Sequence, residues 1–148
     1  MNNDNKFVWL IRHGKSAWPA GTPDMERPLS QRGRRDGAIM AEVLATSEHT
    51  PQQFYMSDSE RTRQTTELLN DALKRPITST HELYTGSHRE VEKILRGHCL
   101  VSRLYLIYRQ SNLVSVRLTI GLKNMLFPHW PLCVMSRVEN GKSSNSQP

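Results

Sequence analysis

Cysteine is scarce in this chain. Cys99 and Cys133 are the only two among 148 residues, and their separation matches no metal-ligand spacing. Two thiols cannot build the disulfide framework of a small secreted scaffold, so reduced thiols are expected and a structural zinc site is not. Long apolar runs are missing as well. No stretch approaches the roughly 20 residues of a spanning helix, and Met1 to Lys6 lacks the apolar stretch of a signal peptide. These absences point to a soluble, cytoplasmic protein with no membrane partner. No internal repeat is visible, and the length suits a single domain over residues 1–148 with a proper core.

Charge of one sign dominates only locally. The formal net charge is +6, yet residues 1–99 carry 14 Lys and Arg against 13 Asp and Glu. Residues 100–148 carry 6 Lys and Arg against Glu139 alone. The excess therefore sits in one segment, with no nucleic-acid-binding module beside it, and nucleic acid is not the expected partner.

What is present begins with Phe7-Val8-Trp9-Leu10-Ile11, five apolar residues without alternation, which predicts a strand buried on both faces. It runs directly into Arg12-His13-Gly14. In open α/β sheets ligands bind at the carboxyl ends of strands, and glycine there permits a sharp turn or a close approach. His13 offers a nucleophilic imidazole, and Arg12 offers a permanent charge with a fork of donors suited to phosphate. A Pro/Gly-rich loop follows from Trp18 to Asp24, and Arg27, held extended by Pro28, belongs to a loop able to fold back over the strand end.

Ser30 is a natural N-cap for a helix ending near Ala45, with Ala38, Ile39, Met40, Val43 and Leu44 expected on its buried side. Phe54-Tyr55-Met56 reads as a second strand. Ser57 to Glu60 opens a second helix whose apolar face is expected at Thr65, Leu68, Leu69, Ala72 and Leu73. Ile77 to Thr80 reads as a third strand. Ser87-His88-Arg89-Glu90 has capping-box form before a helix through Leu95, and Leu104 to Tyr108 reads as a fourth strand. Strands alternating with helices imply an α/β fold of three layers, a mostly parallel sheet with helices on both faces.

One guanidinium cannot offset a phosphate dianion and the charge that develops during its transfer, so Arg12 needs a partner. Arg61 is the candidate, because it starts the helix after the second strand and should also lie at the carboxyl edge of the sheet. Read alone, Arg61 and Arg63 favour a solvated helix face.

Leu10-Ile11-Arg12-His13-Gly14, the segment Asp24 to Gly33 and the segment Ser57 to Thr65, in that order, resemble the histidine phosphatase superfamily, in particular its small SixA-like phosphohistidine phosphatases. The resemblance covers roughly residues 6–96. It implies the histidine phosphatase fold and a cofactor-independent phosphatase in which His13 forms a transient phosphohistidine. Arg12 and Arg61, joined by Arg27, would hold the phosphoryl oxygens. Arginines doing that work require no metal. His13 must be neutral to attack, and its arginine neighbours favour that state. Glu82 is a candidate general acid, although an ordinary surface glutamate is the favoured reading. The implied substrate is a phosphohistidine on a protein. A small phosphomonoester, or phosphate binding with little turnover, are the alternatives.

The family places a second histidine in a Gly-His pair after its last central strand. Gly97-His98 is such a pair but follows helical residues, so His98 is a weak candidate. From about Leu100 onward the chain departs from the family's pattern, and the C-terminal part of the fold is expected to be incomplete, with irregular packing after about residue 110. Residues Ile120 to Lys142 can be back-translated so that a neighbouring reading frame encodes a more family-like tail, which suggests a frameshifted or degraded gene copy; a genuinely divergent tail is the alternative. Gly141 to Pro148 has the composition of a disordered segment.

Overall fold

The computed structural model describes residues 6–85, 88–97, 103–108, 123–126 and 133–138. The strands are β1 (Lys6–Arg12), β2 (Gln53–Met56), β3 (Ile77–Ser79), β4 (Arg103–Tyr108), β5 (Lys123–Leu126) and β6 (Cys133–Val138). The helices are α1 (Gln31–Ala45), α2 (Glu60–Asn70), α3 (Glu82–Thr85) and α4 (His88–Gly97). The strands form one sheet in the order β3-β2-β4-β1-β6-β5. The pairs β1/β4, β4/β2 and β2/β3 are parallel, whereas β6 runs antiparallel to β1 and β5 antiparallel to β6.

The first strand is central, as its sequence requires. Val8, Trp9, Leu10 and Ile11 are each at most 3% exposed. Successive side chains of a strand point to opposite faces, so burial of all four means that both faces are covered. Trp9 and Ile11 share a cluster with Phe54 of β2, Met40 and Leu44 of α1 and Leu69 of α2. Each of these side chains contributes about 1.5–3 kcal/mol by leaving water. The indole of Trp9 donates to the His49 carbonyl at 2.9 Å, so its polar atom is not stranded. Leu83 of α3 and Val91 of α4 are also buried.

Ser30 caps α1 as expected, its hydroxyl accepting from the Gly33 amide at 3.1 Å. The buried face is only in part the one that the apolar residues suggested: Met40 and Leu44 are in the core and Val43 packs against it. Gly33, Gly37, Met40 and Leu44 are buried, whereas Ala38 is exposed and Ile39 is 56% exposed. The cause is close approach. A Cβ on Gly33 would stand 2.2 Å from the Lys15 carbonyl oxygen, and one on Gly37 would stand 2.8 Å from Leu68 Cδ1. Glycine carries no hydrophobic signal, yet it marks where the helix packs tightest.

The second helix departs from expectation in the same way. Its buried stripe is Arg61, Thr62, Thr65, Thr66, Leu69 and Asn70, while Ala72 is exposed and Leu68 and Leu73 are only partly buried. Threonine can be buried here because its hydroxyl bonds back into the helix. Thr65 donates to the Arg61 carbonyl at 2.7 Å, and Thr66 to the Thr62 carbonyl at 2.8 Å. A helix with a polar buried stripe can thus sit beside a charged site without orphaned groups.

The expectation of irregular packing after about residue 110 is corrected at β5 and β6. Residues 133–138 pair with β1 across six positions. An unpaired edge on the central strand would leave backbone donors and acceptors without partners, and Cys133-Val134-Met135 supply strand-forming, apolar residues to cover it. Ser87, His98 and the proposed disordered segment 141–148 lie outside the described residues, as do residues 109–122 and 127–132.

Candidate active site

His13 follows the last residue of β1, and its tautomer is dictated by its neighbours. Nδ1 lies 2.7 Å from the Gly14 carbonyl oxygen, which can only accept, so Nδ1 carries the proton. Nε2 lies 3.1 Å from Nε of Arg61, which can only donate, so Nε2 presents a lone pair. The ring's pKa is lowered from 6.5 to about 4. Burial is the largest cause, and the hydrogen bond to Gly14 works against it. The positive charges of Arg61, Arg12 and Arg27 lower it further. The arginines were expected to keep this imidazole neutral, but loss of water does most of that.

Arg61 enters the site from the first turn of α2 and is 2% exposed. While Nε touches His13, Nη1 donates to the Asp24 carbonyl and Nη2 to Asp24 Oδ2, the latter at 2.9 Å. The guanidinium carbon stands 5.9 Å from the centre of the Tyr84 ring. Arg27, 7% exposed, donates through Nε to the Ala17 carbonyl at 3.1 Å, through Nη1 to Asp24 Oδ1 at 3.0 Å and through Nη2 to Ser16 Oγ at 2.7 Å. Its guanidinium also lies 3.3 Å from the centre of the Trp18 indole. Arg12, at the end of β1, is partly buried, and burial lowers its pKa from 12.5. Among the described residues no carboxylate or carbonyl engages its guanidinium.

The loop after β1 is clasped to the segment before α1. Ala17 N donates to the Pro28 carbonyl and Ser30 N to the Lys15 carbonyl, each at 2.8 Å, and Ser16 and Leu29 form an antiparallel bridge. Arg27 is thereby brought back over the strand end, as the Arg27-Pro28 pair suggested. Gly14 N donates to the buried Thr65 Oγ1 at 3.1 Å, which ties the residue after His13 to the helix that carries Arg61. A Cβ on Gly14 would stand 3.0 Å from the Gly33 carbonyl oxygen, a tight contact that α1 would have to yield to by a few tenths of an ångström.

The structure therefore gathers His13, Arg61 and Arg27, with Arg12 beside His13 at the strand end. Glu82 is not part of the hydrogen-bonded cluster. It is exposed in α3, and its carboxylate is 3.5 Å from Thr80 Oγ1. The carboxylate at the site is Asp24, which sequence reasoning placed in a motif without giving it a role. Tyr84 was missed too, and its hydroxyl donates to Asp24 Oδ2 at 2.8 Å. The signal for Asp24 was an acid three residues before an extended arginine. For Tyr84 there was none, because α3 was not anticipated. His98 lies outside the described residues. Among the described residues no three His, Cys, Asp or Glu side chains gather to hold a metal ion. No helix among them is long and apolar enough to cross a membrane. An open cavity of about 500 Å³ is lined by Met25, Glu26, Pro28, Asp58 and Glu60, neighbours in sequence of the charged cluster.

A partly buried, neutral histidine at the carboxyl end of the central strand, ringed by arginines, is the arrangement of a protein that handles phosphoryl groups. The sequence pattern of the histidine phosphatase superfamily (branch 1) matches residues 8–94, and the chain belongs to that superfamily. A structure assigned to the phosphohistidine phosphatase SixA of Agrobacterium tumefaciens is 26% identical, with 78% of this chain and 77% of that one covered and a TM-score of 0.73. The protein histidine phosphatase SixA complexed with tungstate shares the fold at 24% identity, covering 77% of this chain and 76% of that one, with a TM-score of 0.71. So does a mycobacterial glucosyl-3-phosphoglycerate phosphatase, at 14% identity and a TM-score of 0.61, covering 80% of this chain and 81% of that one. An uncharacterised chloroplastic protein of Arabidopsis thaliana is 40% identical over 57 residues, which are 38% of this chain. The chain spans about a quarter, 26%, of that curated relative's length.

Proposed function

We propose that this chain is a cofactor-independent phosphatase that works through a covalent phosphohistidine on His13, with a protein phosphohistidine as its substrate. The observation that carries this reading is the forced tautomer of His13. Its proton sits on Nδ1, which donates to the Gly14 carbonyl, so the Nε2 lone pair points at the arginine cluster. In the first step Nε2 attacks phosphorus in line, and the bond from phosphorus to the leaving group breaks with its electron pair staying on that group, which takes up a proton. In the second step water attacks the phosphorylated His13, releasing inorganic phosphate and restoring the neutral ring.

Arg12 offers guanidinium donors to the phosphoryl oxygens, and Arg61 carries positive charge to within hydrogen-bond distance of the attacking atom. Transfer of this kind depends on positioning and charge neutralisation more than on covalent chemistry by the protein. The substrate class rests on the resemblance to SixA structures and on the leaving group. A departing imidazole needs a weaker acid than an alkoxide does, and no carboxylic acid other than the charge-paired Asp24 touches the cluster among the described residues.

The test is phosphate release from a phosphohistidine-bearing protein and from an aryl phosphate, by the wild-type chain and by His13→Ala. Loss of release in the variant is the expected outcome. Equal rates in the two proteins would sink the nucleophilic role. Faster turnover of the aryl phosphate than of the phosphoprotein would move the substrate assignment to small phosphomonoesters.

A further inference from the structure

Two buried arginines converge on one carboxylate. Asp24 Oδ1 accepts from Arg27 at 3.0 Å and Oδ2 accepts from Arg61 at 2.9 Å, while the Asp24 carbonyl takes the other terminal nitrogen of Arg61. Tyr84, 60 residues away in sequence, donates to the same Oδ2 at 2.8 Å. Both ends of the Arg61 fork are therefore held by one residue. The inner edge, Nε–H, is left facing His13 Nε2 at 3.1 Å.

That geometry has a chemical consequence. The lone pair that must attack phosphorus is occupied by the Arg61 Nε–H. Attack requires this hydrogen bond to pass to a phosphoryl oxygen at the moment the substrate arrives. A guanidinium fixed at its far end can make that exchange by a small rotation. A guanidinium without the anchor would bind the incoming dianion end-on through its terminal nitrogens, as Arg commonly does with carboxylates and phosphates. It would then hold the phosphoryl group well and misplace it for in-line attack.

We propose that Asp24 is a positioning residue for the reaction. It serves as a resident counter-anion that clamps the fork of Arg61, steadied by Tyr84, so that Arg61 presents its Nε–H edge to His13 and to the arriving phosphoryl group. The depressed pKa of Asp24, caused first by the Tyr84 hydrogen bond and then by those from Arg61 and Arg27 against opposing desolvation, keeps it ionised for that role. The inference rests on the phosphatase reading above.

The experiment measures four quantities on the full chain for wild type, Asp24→Asn, Asp24→Ala and Tyr84→Phe. They are kcat and KM on the phosphoprotein, the affinity for inorganic phosphate by calorimetry, and Tm. Removing the resident anion frees two cations, so phosphate should bind the Asp24 variants roughly three- to tenfold more tightly. At the same time kcat should fall by about tenfold or more through lost orientation, without a rise in KM. Tyr84→Phe should shift kcat in the same direction, by about two- to threefold, with phosphate affinity retained. A kcat within twofold of wild type in the Asp24 variants overturns the proposal, and so does phosphate affinity lost in parallel with kcat. If the Asp24 variants fail to fold, Tyr84→Phe decides: unchanged kcat refutes the clamp. If the wild-type chain turns nothing over, the phosphatase reading fails on its own. The clamp is then read from phosphate affinity and from the ¹⁵N resonance of His13 Nε2, which must move in Asp24→Ala when the Arg61 donor leaves it. A stationary resonance there refutes it.

Discussion

Protonation of His13 offers the sharpest single test of the site. The ring is held neutral, with its pKa moved from 6.5 to about 4, chiefly because it is buried and secondarily because three arginines surround it. A displacement of that size corresponds to roughly 3 kcal/mol against charging the imidazole in place. At pH 5.5 about 97% of folded chains would keep the nucleophile unprotonated, against about 9% for a histidine of ordinary pKa. The unfolded chain takes up this proton near pH 6.5, whereas the folded chain does so only near 4. The unfolded state therefore binds more protons between those values, and stability falls as the pH drops through that window, by at most ~3 kcal/mol, with no effect above it. The assay is a ¹H–¹³C titration of the imidazole resonances. The chain has six histidines, and His13→Asn identifies the missing signal. A midpoint near 4 is expected. Arg61→Ala should raise it, because that change removes a positive charge and admits water. A His13 midpoint at 6 or above would refute the argument that burial keeps the nucleophile ready, and would place the acid limb of kcat/KM at the ordinary histidine value.

Further outcomes follow from packing. Gly33→Ala puts a methyl group 2.2 Å from the Lys15 carbonyl oxygen, so the clasp must open; a loss of about 1–3 kcal/mol is expected in denaturant unfolding, and a neutral result would show that α1 shifts freely. Thr65→Val strands the Gly14 amide inside the protein and should cost about 1–3 kcal/mol, with lower activity because His13 is adjacent; chemical denaturation and turnover together read it out. On α1 the two neighbours should part ways. Met40→Ala is expected to cost about 2–5 kcal/mol and Ile39→Lys less than about 0.5 kcal/mol, and comparable losses would contradict the orientation of the helix.

The amino-acid sequence by itself determined what is local. The apolar run 7–11 read as a strand buried on both faces, Ser30 could cap a helix through its own hydroxyl, and Arg12-His13-Gly14 followed at that strand's carboxyl end. Alternation of strands and helices then implied the parallel part of the sheet. The placement of Arg61 near His13 was legible because both follow carboxyl ends of strands in one sheet.

Tertiary structure decided whatever depends on distance across the fold. Which side of α1 is buried was settled by close backbone approach at Gly33, a steric fact with no trace in a hydrophobic pattern. The antiparallel pairing of β6 with β1 arose from an edge that needed partners. Asp24, Arg61 and Tyr84 meet through contacts spanning 37 and 60 residues. No spacing rule encodes such a meeting, because the loop, the helix start and the short helix α3 are brought together only when the core beneath them has packed. The neutrality of His13 belongs to the same category. Charge could be counted along the chain, but the loss of water that lowers its pKa most exists only once the strand end is enclosed.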